Sequence, residues 1–131
     1  MHKIDWKNFT VTPEFLKNNS NYVFVFGDNL IRHGRGGAAK CRDCENAYGF
    51  ITKRYPDTRA ISYYSTDVYK EVYRDEIIKL RLKIIKNPDK IFLISKIGSG
   101  LANKHKIWEN VIEPNIKNDL RGFKDRLIWL F

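Results

Sequence analysis

Apolar residues in this chain gather into short unbroken runs set between glycine-rich and charged connections, with one long stretch in which apolar and charged positions mix. Tyr22-Val23-Phe24-Val25-Phe26 and Lys90-Ile91-Phe92-Leu93-Ile94-Ser95 are apolar without alternation, the pattern of strands buried on both faces. Gly49-Phe50-Ile51-Thr52-Lys53 predicts a short strand closed by Arg54-Tyr55-Pro56-Asp57-Thr58 as a turn, Ala60 to Tyr64 a further short extended piece, and Asp125 to Phe131 a final strand. From Asp67 to Lys86, Val68, Val72, Ile77, Ile78, Leu80, Leu82, Ile84 and Ile85 recur at roughly helical spacing among charges. Ser65-Thr66-Asp67 offers an N-cap and Asn87-Pro88-Asp89 a stop, so a long helix covering one sheet face is expected.

Shorter helices are predicted over Gly37 to Tyr48 and over Ile107 to Asn118, the second limited or kinked by Pro114. Residues 1 to 21 are mixed and polar, with a turn or helix start at Thr12-Pro13-Glu14 ended by Asn18-Asn19-Ser20-Asn21. Strands and helices alternate, with glycine loops after the two clearest strands. That order predicts an α/β fold, a single-domain three-layer sandwich over residues 1 to 131 with a central, mostly parallel sheet. In such a sheet the carboxyl ends of parallel strands share one edge, so both glycine loops should open on the same side, where open α/β sheets bind ligands.

Length and composition narrow the class. At 131 residues the chain can bury roughly two-thirds of its unfolded surface and fold without staples. It has no run of eighteen apolar residues and its start lacks the apolar core of a signal peptide, so a cytoplasmic protein with no membrane partner is expected. Cys41 and Cys44 should then be thiols, packed as structural residues. No metal and no cofactor are expected. The formal net charge of +9 predicts attraction to polyanions such as nucleic acid or nucleotides, although the basic residues are scattered and form no dense arm.

The chemistry concentrates in Gly27-Asp28-Asn29-Leu30-Ile31-Arg32-His33-Gly34-Arg35-Gly36-Gly37-Ala38-Ala39-Lys40. Gly34, Gly36 and Gly37 remove side chains where a backbone turns tightly or approaches a ligand, and a helix amino terminus beyond them would offer free N–H groups to a phosphate. Arg32, His33, Arg35 and Lys40 add cations or donors, and Asp28 and Asn29 are suited to a sugar hydroxyl or base edge. Gly34-Arg35-Gly36-Gly37-Ala38-Ala39 fits the written dinucleotide fingerprint, yet seven residues separate Phe26 from Gly34, whereas that fingerprint needs its first glycine at the strand's end. No glycine-lysine-serine/threonine triplet occurs, which removes a Walker loop.

Lys96-Ile97-Gly98-Ser99-Gly100-Leu101-Ala102-Asn103 follows the second buried strand in the same way. Either loop alone has a tight turn as its alternative reading; two at one sheet edge would hold an extended diphosphate from opposite sides, with Ser99 supplying a hydroxyl. His33 and His105 belong to or follow the loops and are of the residue type that polarises a phosphate or transfers a proton, and Tyr55, Tyr63, Tyr64, Tyr69 and Tyr73 serve either base stacking or packing.

Val25-Phe26-Gly27-Asp28-Asn29-Leu30 with Gly34-Arg35-Gly36-Gly37-Ala38-Ala39, and Ile91-Phe92-Leu93-Ile94-Ser95-Lys96-Ile97-Gly98-Ser99-Gly100-Leu101, resemble the macrodomain superfamily, and within it the small macrodomain-like proteins of phages and bacteria. The resemblance implies a macrodomain-like fold that binds ADP-ribose or a related nucleotide, with the first loop beside the distal ribose and the second around the diphosphate. On it the ligand contacts would be Gly27, Asn29, Arg32, Gly34, Gly36, Gly37, Ala38, Gly98, Ser99, Gly100 and Leu101. Were ADP-ribosyl hydrolysis added to binding, Asp28, Asn29 or His105 would have to orient water at the distal ribose. A basic nucleic-acid-binding module, gripping phosphates without chemistry, and a protein that only sequesters a nucleotide signal remain the alternatives.

Overall fold

A computed structural model describes residues 3–131. Four strands, β1 (Tyr22–Asn29), β2 (Ala47–Lys53), β3 (Ile91–Ile94) and β4 (Leu127–Trp129), form one sheet in the order β2-β1-β3-β4. All three pairings are parallel, with Phe24 opposite Ala47 and Leu93, and Phe92 opposite Leu127. The fold is therefore mixed α/β around a parallel sheet.

The two central strands are buried on both faces, which is why their sequences do not alternate. Val23 and Val25 face a core shared with Ile94, Ile97, Trp108, Ile112 and α2 (Thr66–Lys86). Phe24, Phe26 and Leu93 face a second cluster with Val11, Leu16 and Cys41, covered by the amino-terminal segment and α1 (Pro13–Asn18). Helix α1 starts at Thr12, whose side chain accepts from the Phe15 N–H, and Pro13 occupies the first turn, where no N–H is missed.

Helix α2 turns Tyr69, Tyr73, Glu76, Ile77, Leu80 and Ile84 inward at helical spacing. It also closes the free edge of β2. Glu76 accepts the Ile51 N–H at 2.7 Å, and the Tyr69 hydroxyl donates to the Ile51 carbonyl at 2.7 Å. Both outward-facing polar groups of that residue are satisfied without a further strand.

Two expected helices differ. The helix predicted over Gly37 to Tyr48 is only a 3-10 turn, Gly37–Cys41, and Tyr48 already lies in β2. Asn46 ends the segment by reaching the carbonyls of Leu16, Asn19 and Tyr22 at 2.9, 3.3 and 2.9 Å, which anchors the start of β2 beside β1. The helix predicted over Ile107 to Asn118 divides into a widened π-type turn, Trp108–Ile112, and a single turn, α3 (Ile116–Asp119). Pro114 has no N–H and its ring would strike the carbonyl four residues back; one residue earlier, Glu113 N–H bonds to Trp108 O, five back, at 2.8 Å. The extended piece expected over Ala60 to Tyr64 is a 3-10 turn, Ala60–Ser62, followed by a single antiparallel bridge from Tyr63 to Lys53.

Candidate functional site

After β1 the chain moves to one side of the sheet to make β2, and after β3 to the other side to make β4. The loops leaving β1 and β3 therefore diverge, and a crevice opens between them at the carboxyl ends of the strands. It is a cleft of about 450 Å³ whose walls are the first loop (Gly27 to Asn29, His33, Gly34, Gly36 to Ala39, Arg42), the end of β2 and the turn after it (Thr52, Lys53, Pro56) and the second loop (Ser95 to Gly98, Gly100 to Ala102).

The first loop is held by its own polar groups. The Asp28 carboxylate, 1% exposed, meets Arg42 Nη2 at 2.7 Å and Arg32 Nη1 at 3.1 Å, and accepts the Asn29 N–H at 2.8 Å. Arg42 also donates to the carbonyls of Gly34 (2.9 Å) and His33 (3.1 Å), so a single guanidinium ties the strand end to the far side of the loop. Asn29 Nδ2 donates to the same His33 carbonyl at 2.8 Å. Arg32 and Gly34 take left-handed φ values of 54° and 95°, which reverse the chain here. Gly49 is also required, because a Cβ on it would overlap the Asp28 carboxylate.

The second loop sits against the first. A Cβ on Gly27 would lie 3.4 Å from the Gly98 nitrogen, and Gly98 has a φ of 79° with only 2.9 Å between a would-be Cβ and Ile112 Cδ1. By contrast, a Cβ on Gly36, Gly37 or Gly100 would meet nothing within 4 Å. Those three glycines leave backbone open to the cleft and not to a neighbouring side chain.

Ten of the residues expected to bind or react line this cleft: Gly27, Asp28, Asn29, Gly34, Gly36, Gly37, Ala38, Gly98, Gly100 and Leu101. Arg32, Ser99 and His105 are not among its walls. Arg32 pairs with Asp28 and donates to the Gly49 carbonyl at 3.2 Å, Ser99 donates to the Lys96 carbonyl at 2.7 Å, and the His105 ring lies edge-on to Tyr63. The side chains of Asp28 and Asn29 are spent on the loop itself. A five-residue 3-10 turn also replaces the helix amino terminus expected beyond Gly37, so no helix dipole is directed at the cleft from this loop.

Arg42, Thr52, Lys53 and Lys96 line the cleft and did not stand out in the sequence as candidates. Thr52 and Lys53 end a parallel strand, and the shared-edge rule could have found them; Arg42 lay within a segment that read as helix. Lys53 and Lys96 make no ion pair among the described residues, so the cleft carries net positive charge. Its burial pushes the Lys53 pKa down, with the nearby Asp57 pulling the other way. Across Gly37 and Ala38 a second hollow of about 360 Å³ adjoins, floored by Phe9, Val11, Phe24 and Leu130 with Lys40 at its rim. Cys41 is buried and Cys44 half-buried; burial raises the Cys41 thiol pKa, and the thiols face the carbonyls of Val11 and Pro13.

A family model matches residues 7–106, the span that carries β1, β2, α2, β3 and both glycine loops. The chain belongs to the family of unknown function DUF7831. The matched part of DUF7831 thus contains every residue lining the cleft. No curated protein and no solved structure matches the chain. Among the described residues no helix is long and apolar enough to cross a membrane.

Proposed function

We propose that this chain binds ADP-ribose or a related nucleotide in the cleft between its two glycine loops, as a macrodomain-like protein of the cytoplasm. The observation that carries the proposal is the convergence of two loops sixty residues apart on one crevice, with Gly36, Gly37 and Gly100 leaving their backbone open to it. Lys96 supplies charge for a diphosphate, and the cleft volume of about 450 Å³ falls in the range of small-ligand sites, roughly 300–1,000 Å³. The apolar hollow beyond Ala38 offers a floor for a base.

Binding is favoured over hydrolysis. Both carboxylate oxygens of Asp28 are engaged by arginines and by a backbone N–H, which leaves that group holding the loop and not activating water. Sequestration of a nucleotide signal is accordingly the better-supported form of the activity. The basic-module alternative rests on the net charge of +9.

Calorimetric titration with ADP-ribose, NAD, AMP and a short oligonucleotide tests the proposal. Saturable one-to-one binding of a mononucleotide or dinucleotide is expected, and Gly36→Glu should abolish it by filling the open space with bulk and negative charge. Binding of the oligonucleotide alone, with a steep loss on added salt, would replace the cleft by a nucleic-acid surface.

A further inference from the structure

At the edge of the cleft two lysines, one in its wall and one outside it, meet the ring of Tyr63. Lys53 Nζ is 4.7 Å and Lys104 Nζ 5.0 Å from the centroid of the Tyr63 ring. Lys53 belongs to the cleft wall and Lys104 follows the wall residue Ala102 by two positions, so the pair stands at the cleft's mouth. Both ammonium groups lie within cation–π reach of the one ring, whose negative faces attract each of them without neutralising its charge.

Asp57 is the nearby acidic group, and it forms no ion pair with either lysine. Among the described residues neither lysine makes an ion pair. Lys53 donates to the backbone carbonyl of Asp57 at 2.7 Å, while the Asp57 carboxylate is taken by Arg59 and Ser62. Glu109, which follows the second loop, receives the Asn103 amide at 2.7 Å. The Asp57 and Glu109 carboxylates are thus bonded elsewhere, and neither ammonium group has a carboxylate bonded to it.

We propose that Lys53 and Lys104, gathered over Tyr63 at the mouth of the cleft, form a second anion subsite that takes a phosphate of the ligand beyond its diphosphate. This deepens the nucleotide reading of the cleft and rests on it. A phosphomonoester, with close to two negative charges, matches two ammonium groups; a phosphodiester of a longer chain offers one. Either source places a further phosphate at the same point.

The test uses the full chain with labelled tyrosine rings, observed by NMR, and titrations with inorganic pyrophosphate, ADP, ATP and a 5′-phosphorylated dithymidine, for the natural protein and for Lys104→Ala. Lys104 is exposed and outside the cleft wall, so this variant should fold normally. Pyrophosphate and ATP should move the Tyr63 ring signals in the natural protein and leave them in place in Lys104→Ala. ATP should bind about tenfold more tightly than ADP, as expected of one charge-assisted contact, and Lys104→Ala should erase that gain while leaving ADP within about twofold. Tighter binding of the dithymidine than of ATP, kept when its 5′-phosphate is removed, assigns the phosphate to a phosphodiester chain.

Tyr63 signals that ignore pyrophosphate, ATP and the dithymidine alike, or equal weakening of ADP and ATP by Lys104→Ala, would overturn the subsite. If ADP fails to bind while pyrophosphate still moves Tyr63 in a Lys104-dependent manner, the subsite stands and the nucleotide reading of the cleft falls.

Discussion

Replacing Asp28 by alanine should cost stability before it costs any chemistry. The carboxylate is 1% exposed and its main partner Arg42 only 13% exposed, so the substitution strands a guanidinium that has little access to water. Breaking such a pair costs about 3–5 kcal/mol. Arg42 keeps its bonds to the Gly34 and His33 carbonyls, which favours the lower end, about 3 kcal/mol. The half-exposed Arg32 adds about 1 kcal/mol at most. For a chain of 131 residues this lowers Tm by roughly 10 °C. Urea unfolding of Asp28→Ala, Arg42→Met and the double variant should give a coupling of about 2 kcal/mol, and the matching cycle with Arg32→Met under about 1 kcal/mol. An Asp28→Ala protein as stable as the natural one, with no coupling to Arg42, would refute the assignment of Asp28 to the loop; loss of turnover on an ADP-ribosyl substrate in that same variant would make it a chemical group instead.

Glu76→Ala leaves the buried Ile51 N–H without a partner at the edge of the sheet and should destabilise by about 2 kcal/mol in urea unfolding, whereas Glu76→Gln, which keeps an acceptor, should recover much of that. Gly98→Ala forces a side chain into left-handed backbone against Ile112 and should cost about 2 kcal/mol by the same measurement. Bonds from Arg59 and Ser62 lower the Asp57 pKa from the ordinary 3.8 to about 2. A carboxylate depressed on folding stabilises above its unfolded value and loses that contribution as pH falls toward 2, so the Tm advantage over Asp57→Asn should be present at pH 7 and vanish near pH 2.

The parallel order of the sheet could be read because its two central strands are apolar on consecutive positions and α2 is bounded by Ser65 and by Asn87-Pro88. Burial and backbone stops act locally, and a sequence displays them. The segment after Gly37 could not be read in the same way. Ala38-Ala39-Lys40-Cys41 favours helix by propensity, but a few residues of propensity are weak beside the Asn46 amide reaching three carbonyls of a distant segment and Arg42 reaching back across the loop. The two-loop cleft was legible because parallel strands share a carboxyl edge. The inward use of Asp28 and Asn29 was not, since the arginine that occupies Asp28 lies fourteen positions away along the chain. Tyr64, Tyr69 and Tyr73 proved to be core residues, while Tyr63 alone carries two lysines.

The central claim is that the two glycine loops form one ligand site, and backbone amide shifts on titration with ADP-ribose test it most directly. Gly36, Gly37, Gly98 and Gly100 should move together and saturate with a single Kd, with little change along the exposed face of α2. Shifts confined to one loop, or spread over the lysines of α2 with no response from either loop, would contradict it.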